Sequence, residues 1–123
     1  MTTPFSDGVT NLPDRISPRY VFEAKIRIRF ERDYEKFNLP GWARNLSETG
    51  LGGFVAEPLT LGTLVTLVSP LAESDHQAIP AKVVRALGTE FGFQFMALSA
   101  EQRRRIQATL RGRPPIPYHG NQP

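Results

Sequence analysis

Two polar clusters hold the residues best suited to chemistry in this 123-residue chain. The first is Arg15-Ile16-Ser17-Pro18-Arg19, two guanidinium groups four residues apart. Pro18 disfavours a helix and pushes Ser17 toward extended backbone, so the pair sits in a stiffened segment. Planar guanidinium forks donate paired hydrogen bonds to phosphate, or to O6 and N7 of guanine. The second cluster is Asn45-Leu46-Ser47-Glu48-Thr49-Gly50. Asn45 offers an acceptor and a donor that suit a base edge, and Ser47 a hydroxyl for a phosphate or amide. Gly50 is expected to supply a positive φ for a tight turn. Taken singly, each cluster also reads as solvated arginines and an ordinary turn. The chemistry they share is recognition of anions and bases.

Catalytic and metal patterns are missing from the sequence. His76 and His119 fall in segments read as loop and tail, with no neighbouring nucleophile or second ligand at metal spacing. Glu31, Asp33 and Glu35, and Glu73 with Asp75, read as solvated acidic runs. Gly50, Gly52 and Gly53 do not match a phosphate-loop or dinucleotide pattern. With no Cys, disulfides and thiolate sites are excluded. The expectation is a non-enzyme with no cofactor. Fifteen Lys and Arg against 12 Asp and Glu give a net charge of +3, which favours anionic partners. No run of 18 apolar residues is present. The first ten residues lack a basic start and an apolar stretch, so no signal peptide is expected and the localisation expected is cytoplasmic.

The elements that must position these clusters read as β. Ten glycines and 11 prolines favour turns and tails over a helical bundle. Ala24, Ile26, Ile28 and Phe30 alternate with Lys25, Arg27, Arg29 and Glu31, the two-residue period of a half-buried strand. Residues 32–40 read as a polar connection, and 41–44, 53–56 and 63–68 as short strands. Residues 70–77 read as a loop. Gly88-Thr89 between two apolar runs signals a hairpin, with Phe91, Phe93 and Phe95 on one core face. Ser99 with Gln102 spells a capping box, and Ile106 and Leu110 mark a helix of about three turns closed by Gly112. The sequence thus argues for a small antiparallel barrel or sandwich with a C-terminal helix. Residues 1–13 are expected to be a flexible N-terminal segment, 14–111 the domain, and 112–123 a Pro-rich flexible tail.

The two clusters, in this order with an amphipathic strand between them, resemble the paired signature of the PilZ domain family: Arg-x-x-x-Arg, then Asp or Asn-x-Ser-x-x-Gly. Leu61-Gly62-Thr63, Ala81-Lys82-Val83-Val84-Arg85 and Phe91-Gly92-Phe93-Gln94-Phe95 are similar to the family's framework. The resemblance covers residues 15–110. It implies a mainly β fold, a six-stranded antiparallel barrel with one C-terminal α-helix. It further implies a non-catalytic receptor for the bacterial second messenger cyclic di-GMP, of the kind that serves motility, pilus function or biofilm formation. Arg15 and Arg19 would grip guanine edges and phosphates from an arginine loop that orders over the ligand. Asn45 would meet a guanine edge, Ser47 a phosphate or guanine, and Gly50 would hold the turn. Asn45 stands where the family more often has an acid, and Asp14 precedes the first Arg where a basic or apolar residue is common. Asp14, Trp42 and Arg44 are further candidates: a carboxylate beside the ligand, a stacking ring, and a charge that strict alternation turns away from Asn45. An effector protein is the other implied partner; no nucleic-acid polymer and no membrane insertion are expected. Two rivals stand beside this reading: a PilZ-like interaction module that binds no nucleotide, and a small barrel for single-stranded nucleic acid.

Overall fold

The computed structural model describes residues 17–71 and 75–116. Six strands and one helix follow in order: β1 (Tyr20–Arg32), β2 (Glu35–Leu46), β3 (Gly50–Val55), β4 (Leu64–Leu71), β5 (Asp75–Leu87), β6 (Glu90–Phe95) and α1 (Ala100–Leu110). The strands close into a barrel in the order β1-β2-β3-β6-β5-β4, with every pairing antiparallel. Closure removes most of the open sheet edge that would otherwise invite association, leaving the start of β1 beyond its pairing with β4. The fold is therefore a barrel and not a sandwich, the six-stranded antiparallel barrel with a C-terminal helix that the resemblance implies.

The alternation read along β1 holds, with Phe22, Ile26, Ile28 and Phe30 buried and Lys25, Arg27 and Arg29 exposed. Phe91, Phe93 and Phe95 of β6 join them in the barrel core. The helix is capped as expected: Ser99 Oγ accepts from Gln102 N at 3.0 Å, and Gln102 Oε1 accepts from Ser99 N at 3.2 Å. Its apolar stripe, Ile106 and Leu110, is buried in the same core. Arg111 is the C-cap, and Gly112 follows it in the left-handed region at φ +78°.

Three local departures from the sequence reading have physical causes. Residues 32–40 are mostly strand, because β1 and β2 form one long hairpin reversing at Asp33 and Tyr34. Both turn residues have positive φ, 53° and 67°, the primed-turn geometry that suits strand twist but is usually filled by Asn-Gly. Phe30 and Phe37 stack at 4.9 Å across this hairpin, with the Arg32 guanidinium over both rings. Next, β4 and β5 run on to Leu71 and from Asp75, so His76 lies in a strand opposite Pro70 and not in a loop. Finally, residues 113–116 of the Pro-rich segment lie along the start of β1. Val21 N donates to Pro114 O at 3.0 Å and Ile116 N to Arg19 O at 2.9 Å.

Candidate functional site

The Asn45–Gly50 cluster is a tight reversal between β2 and β3, with Leu46 opposite Leu51 in register. Ser47 N donates to Gly50 O at 2.8 Å. Ser47 is 1 % exposed, and its hydroxyl accepts from Gly50 N at 3.1 Å and Thr49 N at 3.2 Å. Ser47 thus lies inside the turn, where its oxygen satisfies two backbone donors that no strand partner reaches.

Gly50 occupies its position for a different reason from the one read in the sequence. Its φ is not positive; among the described residues the positive-φ glycines are Gly62, Gly88 and Gly112. A β-carbon on Gly50 would fall 2.3 Å from Phe93 O, so only glycine lets β3 approach β6 this closely. Gly53 meets the same constraint from the other side, at 2.4 Å from Trp42 O.

Asn45 is turned outward by a register shift. Ala43 pairs with Gly53 and Asn45 with Gly52, leaving Arg44 as the extra residue of a β-bulge. Ala43 and Leu46 face the core, while Arg44 is exposed and Asn45 half-buried. Strict alternation fails here, so the expectation that Arg44 faces away from Asn45 is corrected: both leave the core side of β2. Arg44 reaches toward Glu90 at 4.0 Å, an exposed pair of little energetic weight.

Arg19 meets Asn45 directly. Its Nη1 donates to Asn45 Oδ1 at 2.6 Å, joining the two clusters across 26 residues of chain. Arg19 is half-buried just before β1. Trp42, two residues before the bulge, is 37 % exposed on the outside of the barrel, and its indole N–H donates to the Glu23 carboxylate. Arg15 and Asp14 lie outside the described residues, as does His119. The structure therefore unites Arg19, Asn45, Ser47 and Gly50 on one side of the barrel, with Arg44 and Trp42 nearby on β2.

Sequence reasoning missed one residue of this cluster. A β-carbon at Gly52 would stand 2.8 Å from Asn45 Oδ1, so the missing side chain is what makes room for the Asn45 amide. The signal was present in Gly52-Gly53, but the bulge that sets Gly52 opposite Asn45 is not visible in the chain. Among the described residues no cluster of three His, Cys, Asp or Glu is placed to hold a metal, and no helix is long and apolar enough to cross a membrane.

Comparisons with known proteins bear on the fold and the family. The fold is similar to the PilZ domain of CeSA from a cellulose-synthesizing bacterium, at TM-score 0.61 and 19 % identity over 76 % of this chain and 95 % of that one. It is similar to the PilZ domain of YcgR from Escherichia coli, solved with c-di-GMP, at TM-score 0.61 and 14 % identity over 76 % and 86 % of the two chains. The Bacillus subtilis inhibitor of motility (MotI/DgrA) matches at TM-score 0.61 and 17 % identity, over 77 % of this chain and 48 % of that one. No curated protein matches the chain. The PilZ domain family model matches residues 13–112, which takes in both polar clusters and the whole barrel: the chain belongs to the PilZ domain family.

Proposed function

We propose that this protein is a non-catalytic receptor for cyclic di-GMP. The observation that carries the reading is the meeting of the Arg19 guanidinium and the Asn45 amide at 2.6 Å on an outward-facing part of the barrel. A cyclic dinucleotide presents two guanine edges and two phosphates. A guanidinium fork matches either group, and a carboxamide matches a guanine edge. Family membership supports the ligand, as does likeness to a domain solved with c-di-GMP.

In this reading Arg15 and Arg19 grip guanine edges and phosphates, and Asn45 reads a guanine edge. Ser47 and Gly50 act mainly by shaping the turn that presents Asn45. Trp42 and Arg44 flank the site as a stacking ring and a source of positive field, and Asp14 sets a carboxylate beside the ligand. Ordering of the arginine segment over the nucleotide alters the surface offered to an effector protein in the cytoplasm. Motility, pilus function and biofilm formation are the outputs this reading puts forward.

The test is an isothermal titration of the full chain with cyclic di-GMP, with GTP as control. Saturable binding in the micromolar range or tighter, about −8 kcal/mol or better, supports the receptor. No heat and no thermal stabilisation would leave a protein-interaction module in its place.

A further inference from the structure

We propose that residues 113–116 form a strap that positions Arg19, coupling occupancy of the Arg19–Asn45 site to docking of the chain beyond α1. The inference rests on the receptor reading above and adds a control element to the same site.

The strap takes up an edge that the barrel leaves open. β4 pairs with β1 only from Arg27 to Arg29, so the start of β1 has β2 on one side alone. Residues 113–116 fill the other side. Val21 N donates to Pro114 O at 3.0 Å, Ile116 N donates to Arg19 O at 2.9 Å, and Tyr20 bridges Pro115. The two bonds flank Tyr20, and the second fixes the carbonyl of Arg19 itself, next to the Cα from which its side chain leaves toward Asn45.

The strap is anchored to the helix. Gly112, at φ +78°, turns the chain back toward β1. Arg113 N donates to Leu110 O and Arg113 Nε to Thr109 O, each at 3.1 Å. The Arg113 guanidinium also sits 5.3 Å from the Phe22 ring centroid, on β1 itself. Arg113 and Pro114 form one wall of an open cleft of about 560 Å³ whose other walls include Phe22, Glu23, Pro70 and Thr109. Release of the strap therefore remodels a surface as well as a site.

Holding the Arg19 backbone before ligand arrives removes an ordering cost from the binding step. Linkage makes the effect reciprocal: a ligand that needs Arg19 in place holds the strap down by the same factor.

The test compares two substitutions at one position. Ile116→Pro deletes the N–H that Arg19 O accepts, whereas Ile116→Ala keeps it. In titrations of the full chain with cyclic di-GMP, Ile116→Pro is expected to bind about tenfold more weakly, and Ile116→Ala as the unsubstituted chain does. Amide exchange at Val21 is expected to slow on adding ligand to the unsubstituted chain, and less in Ile116→Pro. Arg113→Ala, which cuts the anchor and keeps the backbone bonds, is expected to weaken binding in the same direction and serves if Ile116→Pro fails to fold. Equal affinities for Ile116→Pro and Ile116→Ala would overturn the strap and leave the receptor standing. An unsubstituted chain that binds no nucleotide would overturn the receptor, and the strap with it.

Discussion

The Asn45 side chain occupies the space over Gly52 that a β-carbon would need: that carbon would fall 2.8 Å from Asn45 Oδ1 and 3.0 Å from Nδ2. The conflict is with the far end of a side chain, which can swing away, so Gly52→Ala should fold. It should also drive the amide off the Arg19 guanidinium. We expect melting within a few degrees of the unsubstituted chain and cyclic di-GMP affinity about tenfold weaker, a loss of about 1.4 kcal/mol. Calorimetric melting and titration on one preparation check both.

Gly50→Ala should behave in the opposite way. Its β-carbon would stand 2.3 Å from Phe93 O, a backbone atom held in the β3–β6 ladder. Relief requires strand movement, and overpacking of this kind costs about 1–3 kcal/mol. At about 4–8 °C per kcal/mol for a small domain, a clear fall in Tm is expected. An unchanged Tm would show that β3 and β6 can separate without loss.

Arg19 and Asn45 can be separated chemically. Arg19→Ala should lose about 1.5–3 kcal/mol per charge-assisted bond, or about 10- to 150-fold in affinity. Arg19→Lys should also bind poorly, because an ammonium cannot make the fork. Asn45→Asp should tighten binding, since a carboxylate can serve Arg19 with one oxygen and a guanine edge with the other. Undiminished binding by both Arg19 variants would remove Arg19 from the site.

Ser47→Ala removes, from a buried residue, an oxygen that takes two backbone N–H groups. Leaving buried donors unpaired costs about 1–3 kcal/mol. Chemical denaturation should register that loss, together with weaker ligand binding because the turn presents Asn45. Loss of binding at full stability would instead mean that the hydroxyl contacts the ligand.

The Asp33–Tyr34 turn offers a gain. Both residues have positive φ, and Tyr34 is 98 % exposed, so few contacts are at stake. Replacing the pair with Asn-Gly should stabilise the hairpin by about 1 kcal/mol, because these residues adopt the left-handed region at lower cost. Ligand affinity should not change. A lower Tm would mean that the Tyr34 side chain contributes contacts after all.

What the sequence alone determined is what local pattern and side-chain chemistry can specify. The alternation from Ala24 to Glu31 set the inner face of β1, and Ser99 with Gln102 set the start of the helix. The ordered pair of polar clusters led to the family. These are short-range features, written in residues close together in the chain. Tertiary structure decided the rest, because the deciding contacts join distant segments. The bulge at Arg44 depends on how β2 meets β1 and β3, so alternation misplaced that residue. Gly50 is glycine because β6 passes beside it, and Gly52 because Asn45 lies over it. The Asp33–Tyr34 turn lacks Asn-Gly, and its positive φ values accompany the long β1–β2 pairing around it. Residues 113–116, rich in proline, read as a tail, yet the Pro114 carbonyl and the Ile116 N–H bond the backbone at the start of β1. Proline removes a donor but keeps its acceptor, and only the part of β1 that β4 leaves unpaired reveals where the Pro114 carbonyl goes.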